Sequence, residues 1–299
     1  MAFFIKYEFW SNFLHILKHR NIPTYSVSSI FREDQVFFKW YGRSYAGVLK
    51  CFTRFFVQNE ESKRLLEGIG ITAVDVVGDT RFDRVLQIKE AAKQLPICEA
   101  FRTGVASSQS ADVPHHDFKV FVAGSSWPPD ENIFIPFFNE HKDWRLLIAP
   151  HVIAEEHLKL ILSLIKGKKV VRYTQTTPEE AAEADVLIID CFGLLSSMYN
   201  YGDVAYIGGG FGVGIHNTLE AAVWNMPVIF GPNNKKFQEA QGLLKSDGGF
   251  EINTYEDFSG LMSSLMNDET FLKQAGDKAG AFVAHLAGAT DKVLASVKL

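Results

Sequence analysis

The chain has 299 residues, 47% of them hydrophobic and 22% charged, with a formal net charge of −5. This composition suits a soluble globular protein with material for two cores. It argues against a nucleic-acid partner held on a broad basic surface. No apolar run of about 18 residues offers a membrane-spanning helix. The opening MAFFIKYEFW is too short for a signal peptide, has no cleavage site and reads as a strand. Cys51, Cys98 and Cys191 lie far apart, match no metal-ligand spacing and suit a reducing cytosol.

In chain order, residues 2–6 read as an apolar strand, and residues 9–20 as a helix with Phe9, Phe13, Leu14, Ile16 and Leu17 at helical spacing and a basic end at His19-Arg20. Strands follow at 23–28, 54–58 and 74–77. Helices are expected at 32–50, aromatic along one side, at 60–68, stopped by glycine, and from GDTRFD at 78–83 to about residue 94. Residues 103–114, rich in Ser, Ala and Gly, predict a linker or surface loop, which divides a first domain at 1–112 from a second at 113–299.

A second series places strands at 118–123, 145–149, 169–173, 186–189, 204–207, 227–230 and 250–252. Helices fit near 132–141, 154–165, 178–184, 192–199, 217–224 and 236–246, with closing helices at 254–266 and 268–296. Alternating strand and helix predict an α/β fold of two Rossmann-like, doubly wound parallel sheets. Ligands of such sheets bind beyond the C-terminal ends of the strands, so the two series are expected to face one cleft.

Special residues follow many of those ends. The central stretch is GGGFGVGIHNTLE at 208–220, with five glycines between a strand and a helix. Its glycines permit sharp turning with exposed N–H groups, and the helix start beyond adds donors and partial positive charge, a combination suited to phosphate or carboxylate. The plain alternative is a turn that only reverses the chain. Asn217 or Thr218 suits an N-cap, and Glu220 in the first turn suits a ribose diol or, more plainly, the helix dipole. Gly124-Ser125-Ser126 reads as a second anion-binding turn or a simple cap. His151 after Pro150 suits a phosphate or base contact or neither, and Asp190 suits capping or a base edge. The two lysines in Gly231–Phe237 (GPNNKKF) suit plain solvation or, for one of them, neutralisation of a phosphate or a sugar carboxylate. Glu8 ends the first strand beside aromatics, where a carboxylate serves as acid or base or caps a helix. Ser-His-Asp order, HExxH, a P-loop and GxGxxG are all absent, which disfavours a dehydrogenase or P-loop NTPase.

The motifs GGGFGVGIHNTLEAA and PVIFGPNNKKFQEA closely resemble the C-terminal signature of 3-deoxy-D-manno-octulosonic acid (Kdo) transferases of lipopolysaccharide synthesis. KYEFW at 6–10, VGDTRFDR at 77–84, AGSSW at 123–127 and IAPH at 148–151 are similar to that family in the same order, so the resemblance runs over nearly the whole chain. The aromatic variants KYEFW and FFKWYG look most like the Bacteroidetes branch.

The resemblance implies a GT-B-type glycosyltransferase of two domains. It implies inverting transfer of Kdo from CMP-Kdo to a lipid A precursor at the cytoplasmic face of the bacterial inner membrane, without cofactor or metal. By position it implies Gly124, Ser125 and Ser126 near the donor phosphate and Pro150 and His151 near the cytidine. Gly209, Gly210, Gly212, Gly214, His216 and Asn217 line the donor site, with Glu220 on the ribose and Lys236 nearby. Glu8 is the implied acidic residue, with Arg32 and Arg81 on the acceptor side. Relatives often carry Arg where this chain has His151. The resemblance also implies further upstream sequence in family members, with a membrane-anchoring segment and a glycine-rich loop whose Glu is the general base. The chain is thus expected to be N-terminally truncated, its first domain incomplete, with an exposed sheet edge, and itself soluble or peripheral. Two rivals stand: a non-catalytic nucleotide-binding module, and a GT-B transferase or epimerase using a UDP-sugar.

Overall fold

Strands β1 (Ala2–Ile5), β2 (Thr24–Ser29), β3 (Arg54–Val57) and β4 (Val74–Val76) pair in parallel and in chain order, leaving β1 bonded on one side only. The computed structural model describes residues 1–105 and 118–297. Alternation along β3 sends Phe55 and Val57 into one cluster, with Leu14, Phe31, Phe52 and Leu66, and Phe56 into another on the opposite face. Phe31, Phe55 and Phe56 are fully buried. Each such side chain contributes roughly 1.5–3 kcal/mol by its removal from water.

The second sheet is also wholly parallel. It comprises β5 (Lys119–Ser126), β6 (Trp144–Pro150), β7 (Val170–Arg172), β8 (Val186–Ile188), β9 (Val204–Ile207), β10 (Val228–Phe230) and β11 (Gly249–Glu251), in the order β11-β10-β9-β5-β6-β8-β7. Phe121 and Ala123 of β5 join Phe134, Phe138, Tyr206 and Phe258 in one buried cluster. From β5 the chain first builds toward β6, β8 and β7, then returns to place β9, β10 and β11 on the other side. The order therefore reverses between β5 and β9, the place where doubly wound sheets bind ligands.

The two compact units are Met1–Arg84 with Leu286–Leu299, and Val85–His285. The division therefore differs from the expected boundary at 112/113. Residues after 84 are tied to the second unit: Lys89 Nζ donates to Val223 O (2.8 Å), Lys93 N to Ser197 Oγ (3.1 Å) and Leu95 N to Tyr201 Oη (2.8 Å). At the other end, Gly288 takes a left-handed conformation (φ +99°) and breaks the long helix expected at 268–296 into Glu269–Leu286 and Ala289–Ser296. Asp83 then accepts from Gly288 N, and from Thr290 N and Oγ1 at 2.7 Å each, while Ala289, Val293 and Val297 pack on Val27, Phe56 and Val77.

The helix expected at 32–50 is instead two short 3-10 turns, Val36–Phe38 and Trp40–Gly42, followed by the helix Arg43–Leu49. Val36, Phe37 and Phe38 are weak helix formers. The chain folds so tightly here that a Cβ at Gly42 would lie 1.6 Å from Val36 O. The helix Pro96–Thr103, with proline in its first turn, was not expected. Most of the expected linker at 103–114 lies outside the described residues. Among the described residues no helix is long and apolar enough to cross a membrane.

Candidate functional site

A buried carboxylate organises the switch point between β5 and β9. Asp130 is 1% exposed. It sits in the first turn of the helix Pro128–Glu140, and its Oδ2 accepts from Trp127 N and from Gly209 N, both at 2.9 Å. Its Oδ1 accepts from Tyr206 Oη at 2.8 Å. One side chain thus caps the helix after β5 and pins the glycine turn after β9.

Gly124, Ser125 and Ser126 form the irregular end of β5 rather than a loop after it. The register with β6 shifts between Gly124 and Ser126, and Ser125 has φ +54°. Gly208 N donates to Gly124 O at 2.9 Å. A Cβ at Gly208 would lie 2.2 Å from Ser125 O, and one at Gly210 would lie 2.5 Å from Gly231 N. These two glycines therefore permit backbone contact among three strand ends. The expected open row of N–H groups is partly closed. Gly209 N serves Asp130, Gly212 N and Gly214 N both donate to Gly209 O at 3.0 Å, and His216 N donates to Gly208 O at 3.2 Å. The amides of Gly210, Phe211 and Val213 have no such partner among the described residues and are the turn's candidate anion donors.

The helix beyond is short, Leu219–Ala222. Thr218 stands at its N-cap without a side-chain cap bond; its Oγ1 is buried and has no partner among the described residues. Asn217 takes the polar role instead, since its Oδ1 accepts from Leu219 N at 3.2 Å and its Nδ2 donates to Glu220 Oε1 at 2.9 Å. Glu220 is half-buried and held in place, with Oε2 left to accept from a ligand hydroxyl. The buried Tyr199 hydroxyl lies where a Cβ at Gly124 would be, only 1.9 Å away, and burial followed by the Glu220 charge keeps it protonated.

Trp127, His151 and His216 come together beside the turn. Trp127 Nε1 donates to His216 Nε2 at 3.3 Å, and His151 stacks on Trp127 and on His216 with ring centroids 4.5 Å apart in each case. Burial, then the neighbouring His151, holds the His216 pKa below its usual 6.5, against the pull of Asp130. His216 is therefore neutral near neutral pH, with Nε2 as acceptor and the proton on Nδ1. Below this group, Ser126 Oγ donates to Glu131 Oε1 at 2.8 Å and His157 Nε2 meets Glu131 Oε2 at 2.9 Å. Burial raises the Glu131 pKa, and the His157 and Ser126 bonds oppose that rise.

Lys236 is exposed, beside a cavity of about 630 Å³ that Gly212, Val213, Gly214, Lys235 and Phe237 also line. Asp190 serves local structure: its carboxylate accepts from Thr174 N (2.9 Å), Thr174 Oγ1 (2.6 Å) and Arg172 Nε (3.0 Å). In the first unit, Glu8 is exposed just after β1. Arg32 is exposed, its backbone N donating to Gln35 Oε1 at 3.2 Å. Arg81 pairs with the nearly buried Asp79 through Nε and Nη2, both at 2.8 Å, and Lys6 Nζ approaches the same carboxylate at 3.8 Å.

Asp130, Glu131, His157 and Tyr199 escaped the sequence reading. Asp130 had a local signal, since Pro128-Pro129-Asp130 puts proline at a helix start and an acid at the third helical position. The other three depend on partners distant in sequence.

The second sheet is doubly wound as expected, while the first runs in simple chain order over its four strands; two such parallel α/β units are those of a protein of the GT-B type. A solved UDP-GlcNAc 2-epimerase from Neisseria meningitidis, bound to UDP-GlcNAc, shares this fold at TM-score 0.58, with 15% identity, over 93% of this chain and 72% of that one. The particular relationship lies in sequence: residues 1–84 match the family model for 3-deoxy-D-manno-octulosonic-acid transferase (kdotransferase). A Kdo transferase of Rickettsia typhi is 27% identical over 263 residues, 84% of this chain and 53% of that protein. One of Aquifex aeolicus is 31% identical over 159 residues, 51% of this chain and 43% of that protein. The chain is thus similar in sequence to Kdo transferases, as its motifs indicate. It spans about half the length of the curated relatives it matches.

Proposed function

We propose that this chain supplies the donor-binding half, and part of the acceptor side, of a transferase that moves Kdo from CMP-Kdo to a lipid A precursor in lipopolysaccharide synthesis. The observation that carries the reading is the glycine turn pinned by Asp130, with the Asn217–Glu220 pair at its exit. Free amides at 210, 211 and 213 receive the phosphate, Glu220 accepts from a ribose hydroxyl, and Lys236 adds positive charge beside the sugar.

In the transfer step the acceptor oxygen forms a bond to the anomeric carbon of Kdo as the bond from that carbon to the phosphate oxygen breaks. CMP leaves with the electron pair, and inversion follows from attack opposite the leaving group. The glycine turn stabilises the departing phosphate, so the reaction needs no metal. The acceptor proton passes to a carboxylate; in the family resemblance that base lies in a segment preceding the stretch matched here, and Glu8 is the acid on the acceptor side of this chain. Arg32 and Arg81 contact the acceptor. The work takes place at the cytoplasmic face of the inner membrane.

The second reading, a UDP-sugar epimerase or transferase, draws support from the fold shared with the Neisseria epimerase. Direct competition between CMP-Kdo and UDP-N-acetylglucosamine for the purified chain separates the two. Preferential retention of CMP-Kdo is expected, and preference for the UDP-sugar would overturn the Kdo reading.

A further inference from the structure

Asp130 and Glu131 stand side by side in the first turn of the helix Pro128–Glu140, and they reach opposite neighbours of β5. Asp130 holds the glycine turn after β9 through Gly209 N. Glu131, fully buried, serves the β6 side. Its Oε1 accepts from Ser126 Oγ at 2.8 Å, and its Oε2 meets His157 Nε2 at 2.9 Å. The other ring nitrogen, His157 Nδ1, lies 2.7 Å from Val152 O.

These partners fix where the hydrogens are. A carbonyl oxygen only accepts, so His157 Nδ1 carries a hydrogen. His157 Nε2 then faces a carboxyl oxygen at bonding distance, where two bare lone pairs would repel. One proton therefore lies between Oε2 and Nε2, on the acid or on the ring. In either form the pair is neutral as a unit, which suits a carboxyl group shut away from water. In either form Oε1 accepts from Ser126, so the hydrogen of that buried hydroxyl is spent inside the protein and is not offered to a phosphate.

The contacts run from Ser126 at the end of β5, through Glu131 and His157, to Val152 in the segment 151–154 that leaves β6. His151 N donates back to Ser126 O at 2.9 Å and closes the ring. We propose that Glu131 and His157 are positioning residues of the nucleotide site, sharing one proton that clamps the segment after β6 to the end of β5. The proposal rests on the nucleotide-site reading above. Glu131 has no exposed surface to offer a ligand and acts through Ser126 and His157. Together with Asp130 it sets both strand ends that flank β5.

Calorimetric titration with CMP of the unsubstituted chain, Glu131→Gln, Glu131→Ala and His157→Phe tests it, with thermal melts to confirm that each folds. The amide in Glu131→Gln donates a fixed hydrogen to Nε2 and still accepts from Ser126, so that variant should bind CMP within about threefold of the unsubstituted chain. Glu131→Ala and His157→Phe each open the clamp and should weaken binding about tenfold, the scale of one buried hydrogen bond left unmade. Combining them should cost no more than either alone, because the two residues act as a unit. Variants that melt lower yet bind CMP unchanged would overturn the positioning role. Weakening in Glu131→Gln equal to that in Glu131→Ala would overturn the shared proton in favour of a fixed carboxylate charge. Histidine nitrogen NMR of the unsubstituted chain tests the proton without ligand. The His157 resonances, identified by their absence from His157→Phe, should show a hydrogen on Nδ1, and a bare Nδ1 would contradict the arrangement. No binding of CMP by the unsubstituted chain would overturn the nucleotide reading, and the positioning role with it.

Discussion

Asp130 and Gly209 meet at 2.9 Å, carboxylate to backbone amide, across the switch point of the second sheet. Because Asp130 also caps its own helix and accepts from Tyr206 Oη, it has three donors and almost no contact with water. Asp130→Ala strands all three and is expected to destabilise the second unit by about 3 kcal/mol or more. Asp130→Asn is expected to cost clearly less, because the amide nitrogen can face Tyr206 Oη while the oxygen still serves the two backbone donors. Chemical denaturation of both variants checks the order; equal losses would show that the charge matters more than the geometry.

The glycines of the turn differ in what they tolerate. Gly210 lies against Gly231 backbone, so Gly210→Ala forces strand ends apart and is expected to cost about 1–3 kcal/mol. Gly212 has open space around it, and Gly212→Ala should stay within about 0.5 kcal/mol. Gly124→Ala drives a methyl into the Tyr199 hydroxyl, and adding Tyr199→Phe should recover part of that loss. Melting temperatures of the single and double variants give the comparison, and additive losses at Gly124 and Tyr199 would contradict the packing described.

His216 gives the second unit a pH dependence of known sign. Its folded pKa lies below 6.5, so the unfolded chain binds a proton more readily than the folded one. Stability therefore falls as pH drops below 6.5 and levels off beneath the folded pKa. Protonation also removes the acceptor that Trp127 Nε1 uses. Melting temperatures from about pH 8 to about pH 5 should fall less steeply for His216→Gln than for the unsubstituted chain. Parallel curves would place the titration elsewhere.

Much of the second unit was legible because apolar runs of strand length alternate with helical spacing, and glycine marks the strand ends. The strand at 204–207 and the Asn217–Glu220 exit follow from those local rules. The 32–50 segment was not legible, because its aromatic residues satisfy helical spacing while their packing favours short turns. Asp83, which fastens the last helix to the first unit, bonds residues more than two hundred positions away. Local pattern carries no trace of such a contact. The same limit hid the Glu131–His157 pair and the Tyr199 hydroxyl, both defined by partners on other elements. The free amides of the turn were overestimated for a related reason: glycine density shows that a backbone can turn, and only the folded contacts show which amides are already bonded.

The central claim is that the glycine turn and Glu220 form a cytidine-nucleotide site. Calorimetric titration of the folded chain with CMP, with UDP in parallel and with Glu220→Ala as the variant, tests it most directly. The account predicts saturable CMP binding, little or none of UDP, and a loss of at least about tenfold in Glu220→Ala, as expected when a charged hydrogen bond is removed. UDP binding as tight as that of CMP, or CMP binding untouched by Glu220→Ala in a folded variant, would contradict it.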